Sequence, residues 1–290
     1  MTKPRVAILG LGTMGSGMAG RVLSAGFPLC VYNRSREKAK RFEEAGASVS
    51  DTPREAAAQG EIVLSIVADD AASRAVWFGR DGALAGVAPG AVLIESSTLS
   101  LNYVGELAAA ATGRGCEFLD APVTGTKPHA ESGQLLFLVG GPLQALTTAR
   151  PALEVMSRGI IHLGPTGAGA LLKLINNFLC GVQAASLAEA SALIDAGGVD
   201  REKALSVLTN GAPGSPLVKT IASRSMAANA DPNFLLRLMA KDLNYAVAEA
   251  NRRDLDLETG AAALRIFQHA VNSGRGERDF SAVIGSVDHR

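Results

Sequence analysis

Lys173 stands in the apolar stretch GALLKLINNFL, residues 169–179, and Asn177 follows it by four positions. Residues at i and i+4 share a helix face, so an ammonium and a carboxamide are expected side by side. Burying an ammonium costs on the order of several kcal/mol unless it is paired or loses its charge. A lysine in such a stretch is well suited to one chemistry. Hydride arriving at a carbonyl carbon leaves negative charge on oxygen, which a nearby ammonium stabilises and then protonates. In the oxidative direction the amine has to be neutral, so its pKa has to be drawn below about 10.4; desolvation and a second cation both do this. Gly169, Gly181 and Ala184 are near the same face and are expected to leave it uncrowded for a small ligand. On the helix alone, a solvated or snorkelling lysine is the plainer alternative.

A second constellation lies at the other end of the chain. Gly10-Leu11-Gly12-Thr13-Met14-Gly15 has the spacing G-x-G-x-x-G, directly after the strand-like run RVAIL and at the start of a helical stretch. The first glycine permits a tight turn, the second lets backbone approach a pyrophosphate, and the third lets helix and strand pack closely. The helix N-terminus then offers N–H groups to phosphate. The next strand ends in Asn33, Arg34 and Ser35, without the acid that usually holds an NAD ribose. A guanidinium in its place suits a 2′-phosphate, so NADP(H) is expected over NAD(H). A merely solvated Arg34 is the alternative. Thr124 and Gly125 follow the run EFLDAPV and offer a hydroxyl and backbone N–H groups to an anion, or form a simple turn. Thr98 ends the strand-like run AVLIESS, and Val67 and Ala68 follow EIVLSIV, at the carboxyl edge where ligands of such sheets sit.

These residues need a scaffold. Residues 1–165 alternate β-rich runs with helical stretches, which predicts a doubly wound α/β sheet of Rossmann type. EFLDAPV reads as one strand and SREKAKRFEEAG as a charged helix with a solvated face. Residues 166–290 read as all-helical, entered by a helix of roughly thirty residues that bridges the two domains. Its small-residue faces suit a homo-oligomer.

Composition excludes several classes. With 290 residues, 47% hydrophobic and 19% charged, the chain can bury a core. Its formal net charge of zero gives no footprint for nucleic acid. The uncharged run Leu174–Ala188 reads as too short and too polar to span a membrane. Cys30, Cys116 and Cys180 suggest no disulfide framework, so a cytoplasmic protein is expected. His129, His162, His269 and His289 lack metal-ligand spacing, and no metal is expected. His129 stands close to the Thr124–Gly125 turn.

Four segments, GLGTMGSGMA, DAPVTGTKPHAESGQL, GPTGAGALLKLINN and KDLNYAVAEA, occur in an order and spacing that resemble the β-hydroxyacid dehydrogenase family over essentially the whole chain. The resemblance implies a Rossmann domain, a helical domain and an active site between them. It implies Lys173 as catalytic acid/base, Asn177 holding the reacting oxygen and Phe234 as an apolar wall. It places Lys241 where cofactor meets substrate, serving both, and gives Thr98 a cofactor or substrate contact. Thr124, Gly125, Lys127 or Lys241 would hold the substrate's acid group, and Asp242 would orient a neighbour. PVTGTKPHAESG is most similar to the glyoxylate/succinic semialdehyde reductase branch, with Thr124 for the usual Ser and Pro128-His129 for Lys-Pro. The expected activity is reversible, NADPH-dependent reduction of small carboxylate-bearing aldehydes or keto acids to hydroxy acids, in a homodimer or homotetramer. The alternatives are a 3-hydroxyisobutyrate-type dehydrogenase, an imine reductase, against which Lys173 argues, and a non-catalytic NADPH-binding module.

Overall fold

The computed structural model describes residues 2–226 and 231–287, so His289 lies outside the described residues. The chain divides into two compact units, Met1–Lys173 and Leu174–Arg290.

The first unit is built on a nine-stranded sheet. Its strands are β1 (Val6–Leu9), β2 (Leu29–Tyr32), β3 (Ser48–Val49), β4 (Ile62–Ser65), β5 (Val92–Glu95), β6 (Glu117–Asp120), β7 (Val123–Thr124), β8 (Leu135–Gly140) and β9 (Ser157–Gly164). The spatial order is β3-β2-β1-β4-β5-β6-β8-β7, with β9 on the free side of β8. The intervening helices are α1 (Thr13–Ser24), α2 (Lys40–Glu44), α3 (Pro53–Ala58), α4 (Asp70–Phe78), α5 (Leu101–Gly113), α6 (Lys127–Glu131) and α7 (Leu143–Glu154). Strands β1, β4 and β5 are buried along their whole length, which is why their runs are continuously apolar rather than alternating. One core layer gathers Met18, Val22, Phe42 and Phe137. The other gathers Trp77, Leu99, Leu107 and Phe118.

Six strands, β3 to β6, pair in parallel as a doubly wound sheet requires. Beyond them the sheet is mixed: β8 runs antiparallel to β6 and β7, and β9 runs parallel to β8. The link from Thr124 to Leu135 holds only the short helix α6, and a parallel return needs a connection of about a dozen residues or more. EFLDAPV is therefore two strands, broken at Ala121-Pro122, where proline has no N–H to give the ladder. The charged run after β2 is likewise not one helix, but a 3₁₀ turn, Arg36–Ala39, followed by α2.

The long helix α8 runs Ala168–Ala196, and α9 (Arg201–Asn210), α10 (Pro216–Met226), α11 (Leu236–Asn251) and α12 (Glu258–Ala270) follow it. The second unit packs Ala184, Ile221, Leu243, Phe267 and Val283 into one core. Among the described residues α8 alone has the length and apolar composition of a bilayer crossing, more than the run Leu174–Ala188 suggests. Its buried residues Ala184, Ala185, Leu187 and Ala188 belong to that core.

Candidate functional site

The glycine loop closes the gap between β1 and α1. Gly10 has φ +107°, and a Cβ there would lie 2.3 Å from the Ile66 carbonyl oxygen. At Gly15 a Cβ would lie 2.0 Å from the Gly10 oxygen, while Gly12 has nothing within 4 Å. The outer glycines thus permit the turn and the helix–strand approach, and the middle one keeps an open path to backbone. Gly12 is the N-cap of α1 and brings no side-chain cap. First-turn N–H groups, an exposed approach and the positive end of a twelve-residue helix fit a dinucleotide pyrophosphate. Thr13 is exposed and Met14 half-buried on that first turn.

Asn33 braces the loop. Its Oδ1 accepts from Leu11 N at 2.8 Å and its Nδ2 donates to the Ser35 oxygen at 2.9 Å. Arg34 and Ser35 are exposed beside it. Arg36 pairs with Asp51 and Glu43, whereas among the described residues no carboxylate pairs with Arg34.

The ends of β4 and β5 are tied through a carboxylate that sequence reading does not single out. Glu95 is buried and accepts from Ser73 Oγ at 2.6 Å, Trp77 Nε1 at 2.8 Å and Ser97 N at 2.8 Å. Ser97 Oγ in turn accepts from Val67 N at 2.8 Å. Burial pushes the Glu95 carboxyl up against the pull of these donors. Val67 and Ala68, after β4, and Thr98, after β5, are half-buried beside this network. An acid ending the apolar run VLIE was the available signal.

Thr124 ends β7 opposite Leu136, and Gly125 follows with φ +132°. Lys127, Pro128 and His129 are exposed on α6. His129 Nδ1 accepts from Thr126 N at 3.1 Å and lies 2.8 Å from its Oγ1, closing a capping box over the turn. Asp120, also unremarked in the sequence, holds the start of α8: its carboxylate accepts from Gly167 N at 2.7 Å and Ala170 N at 2.8 Å. Burial outweighs these bonds and keeps its carboxyl above the ordinary value. Lys173 follows within one turn and is half-buried.

Gly169 and Gly181 do not leave an uncrowded face, contrary to the expectation from spacing. A Cβ at Gly169 would lie 2.2 Å from the Leu138 oxygen, and one at Gly181 would lie 2.8 Å from Leu243 Cδ2. Both are close-packing positions, and Ala184 is core. Nor is α8 apolar because it is buried all round, since Leu172, Ile175 and Leu179 are exposed.

In the second unit Asn177 is buried and its Nδ2 donates to Asp242 Oδ2 at 2.5 Å. Lys241 Nζ lies 3.1 Å from Asp242 Oδ1 and 5.1 Å from the Tyr245 ring centre. Phe234 is half-buried and edge-on to Phe280, with centroids 5.9 Å apart. Its segment is pinned by Asp279, which accepts from Asn233 N at 2.9 Å and pairs with Arg224 at 3.1 Å. Burial raises the Asp279 carboxyl, but hydrogen bonds from Ser281 and Arg224 outweigh it and hold it below its ordinary value.

The first unit thus gathers the glycine loop and Asn33, and Val67 with Ser97, at the strands' carboxyl edge. The second gathers Asn177, Asp242 and Lys241. A cavity of about 350 Å³, lined by Gly141, Pro142, His162 and Gly164–Thr166, contains none of these residues. No metal-holding cluster occurs among the described residues.

Residues 5–164 match the family described as the NAD binding domain of 6-phosphogluconate dehydrogenase. Residues 167–287 match the family described as NAD-binding of NADP-dependent 3-hydroxyisobutyrate dehydrogenase. An NAD-dependent L-serine dehydrogenase of Pseudomonas aeruginosa is 34% identical, over 96% of this chain and 96% of that protein. Glyoxylate/succinic semialdehyde reductase 1 of Arabidopsis thaliana is 33% identical, over 97% of this chain and 98% of that protein. A crystal structure of 3-hydroxyisobutyrate dehydrogenase from Salmonella typhimurium aligns with a TM-score of 0.90 at 30% identity, covering 98% of this chain and 100% of that one.

Proposed function

The chain belongs to the β-hydroxyacid dehydrogenase family, and from that premise we propose that it reduces small aldehyde or keto acids, of glyoxylate or succinic semialdehyde type, with NADPH, reversibly. The observation that carries the reading is a half-buried lysine one turn before a buried asparagine on one helix, in a chain with an open glycine cradle. The loop Gly10–Gly15 would hold a nicotinamide cofactor, which when bound would supply the hydride. Thr124 Oγ1 and the Gly125 N–H receive the substrate carboxylate, with Lys127 or Lys241 adding charge. Holding the acid group fixes the carbonyl, a positioning effect that contributes on the order of several kcal/mol. Phe234 walls the substrate. Asn177 holds the carbonyl oxygen. As the π pair moves onto that oxygen, the Lys173 ammonium stabilises the charge and gives it a proton from Nζ. In the reverse direction the neutral amine takes the proton back.

Arg34, exposed and without a carboxylate partner among the described residues, supports the preference for NADP(H). A cytoplasmic homodimer or homotetramer completes the proposal. The likeness to an L-serine dehydrogenase supports a second reading, oxidation of a 3-hydroxy acid of the 3-hydroxyisobutyrate type.

Lys173→Ala tests the chemistry. Its kcat with glyoxylate or succinic semialdehyde is expected to fall by roughly 10²–10⁴-fold, with NADPH affinity, read by fluorescence titration, nearly unchanged. A near-normal kcat would refute the assignment. Wild-type protein that binds NADPH tightly but turns over no aldehyde acid in a panel would instead indicate a binding module.

A further inference from the structure

We propose that Asp242 is a positioning residue that sets the polarity of the Asn177 carboxamide, leaving Asn177 able only to donate to the substrate's reacting oxygen. This deepens the reading above and rests on its assignment of Asn177.

A carboxamide has a donor end and an acceptor end, and a half-turn of its last torsion exchanges them. Nothing in the amino-acid type decides which end faces a ligand. Here both ends are committed. Nδ2 donates to Asp242 Oδ2 at 2.5 Å, and Oδ1 accepts from Asn176 Nδ2 at 2.9 Å. A carboxylate has no proton to give, so the amide cannot turn its oxygen toward Asp242 without opposing two acceptors. The surroundings make that costly: Asp242 is 1% exposed and Asn177 4%, so water cannot take over the lost bond. The other Asp242 oxygen lies 3.1 Å from Lys241 Nζ, so the carboxylate is held from a second side. One N–H of Nδ2 is used by Asp242. The second is the group the locked amide offers to a ligand.

The polarity matters for this chemistry. A carbonyl oxygen accepts hydrogen bonds, and it accepts them more strongly as hydride addition turns it into an alkoxide. A donor already aimed there stabilises the transition state more than the ground state and costs no reorganisation during the reaction. A freely turning carboxamide would spend part of its time presenting Oδ1, which repels the developing charge and stabilises only a hydroxyl. Asp242 removes that second orientation.

The test uses Asp242→Asn, Asn177→Ala and the exchange N177D/D242N in the full-length protein. Steady-state kinetics with NADPH and an aldehyde acid, NADPH fluorescence titration and the thermal midpoint are read for each. Asn177→Ala is expected to lose at least roughly tenfold in kcat. Asp242→Asn frees the amide to turn, and is expected to lose roughly tenfold in kcat with NADPH affinity within about twofold. The exchange keeps an amide–carboxylate hydrogen bond between α8 and α11 but reverses its direction. It is expected to regain the thermal midpoint lost in Asp242→Asn without regaining kcat. Recovery of kcat in the exchange variant would overturn the proposal, because a merely structural tie is indifferent to direction. Should Asp242→Asn not fold, Asp242→Ser, whose hydroxyl can give or accept a hydrogen bond and so leaves Asn177 free to turn, decides in its place: a lowered kcat with NADPH affinity kept supports the proposal, and a near-normal kcat overturns it. Near-normal kcat in Asp242→Asn beside an impaired Asn177→Ala overturns this proposal only. Near-normal kcat in Asn177→Ala overturns the reading of Asn177 on which it rests.

Discussion

Arg34 and Arg36 are two positions apart after β2, yet they meet opposite surroundings. Arg36 is held by Asp51 and Glu43, while Arg34 is exposed with no such partner among the described residues. The first is spent on the fold and the second is available to an anion. Arg34→Ala is therefore expected to raise the KM for NADPH by roughly tenfold or more, the scale of one lost charge-assisted hydrogen bond. The KM for NADH should stay within about twofold. Equal change for both cofactors would remove the argument for a 2′-phosphate contact. Arg34 could be singled out because a missing acid and a present guanidinium are visible in the residue types alone, and the KM comparison is what tests its role. Asn33 could be singled out as a candidate beside it, but its bracing of the loop was hidden, because its bond to Leu11 N joins residues 22 positions apart. Glu95 was missed for the same reason. Its donors Ser73 and Trp77 come from α4, and no local pattern announces that a helix will deliver them to the end of β5.

At the scale of elements, periodicity shows which residues share a face but not what that face meets. The expected long helix is there, and Lys173 and Asn177 lie one turn apart on it. Gly169 lies on the same row, and from sequence an absent side chain reads as space. In the structure that space is filled by the backbone of β8. Gly169→Ala is expected to push α8 from the sheet and to cost about 1–3 kcal/mol, read as a lower thermal midpoint. Gly105, inside α5, has nothing within 4 Å of a built Cβ. Gly105→Ala should stabilise by about 0.5–1 kcal/mol, the helix preference for alanine. If the two substitutions shift the midpoint alike, the close approach at Gly169 is not what holds α8. The mixed end of the sheet was hidden similarly, since β8 looks like any buried strand and its direction depends on the shortness of the link before it.

For the molecule as a whole, the alternation of strands and helices followed by helices alone was enough to name the fold, because each repeats along the chain. Assembly is less visible in sequence. Leu172, Ile175 and Leu179 form a stripe at helical spacing, and Ile175 and Leu179 are 44% and 52% exposed. An apolar stripe left to water is unfavourable by roughly 25 cal/mol per Å², and in the homo-oligomer proposed above a second copy of the chain would cover it. Ile175→Glu/Leu179→Glu is expected to reduce the mass found by light scattering after gel filtration to that of one chain. A wild-type protein already of that mass, or an unaltered oligomer in the variant, would leave the stripe without this role.

The grip of Asp120 on Gly167 and Ala170 bears on how relatives of this protein can be recombined. A chimera spliced in the loop ahead of α8 would graft a foreign first turn onto a socket shaped for this one, and Lys173, the amine proposed to carry the proton, would arrive displaced. A splice placed after Lys173 would keep the socket, the first turn and that amine from one parent, while Asn177 and its partner Asp242 would come together from the other.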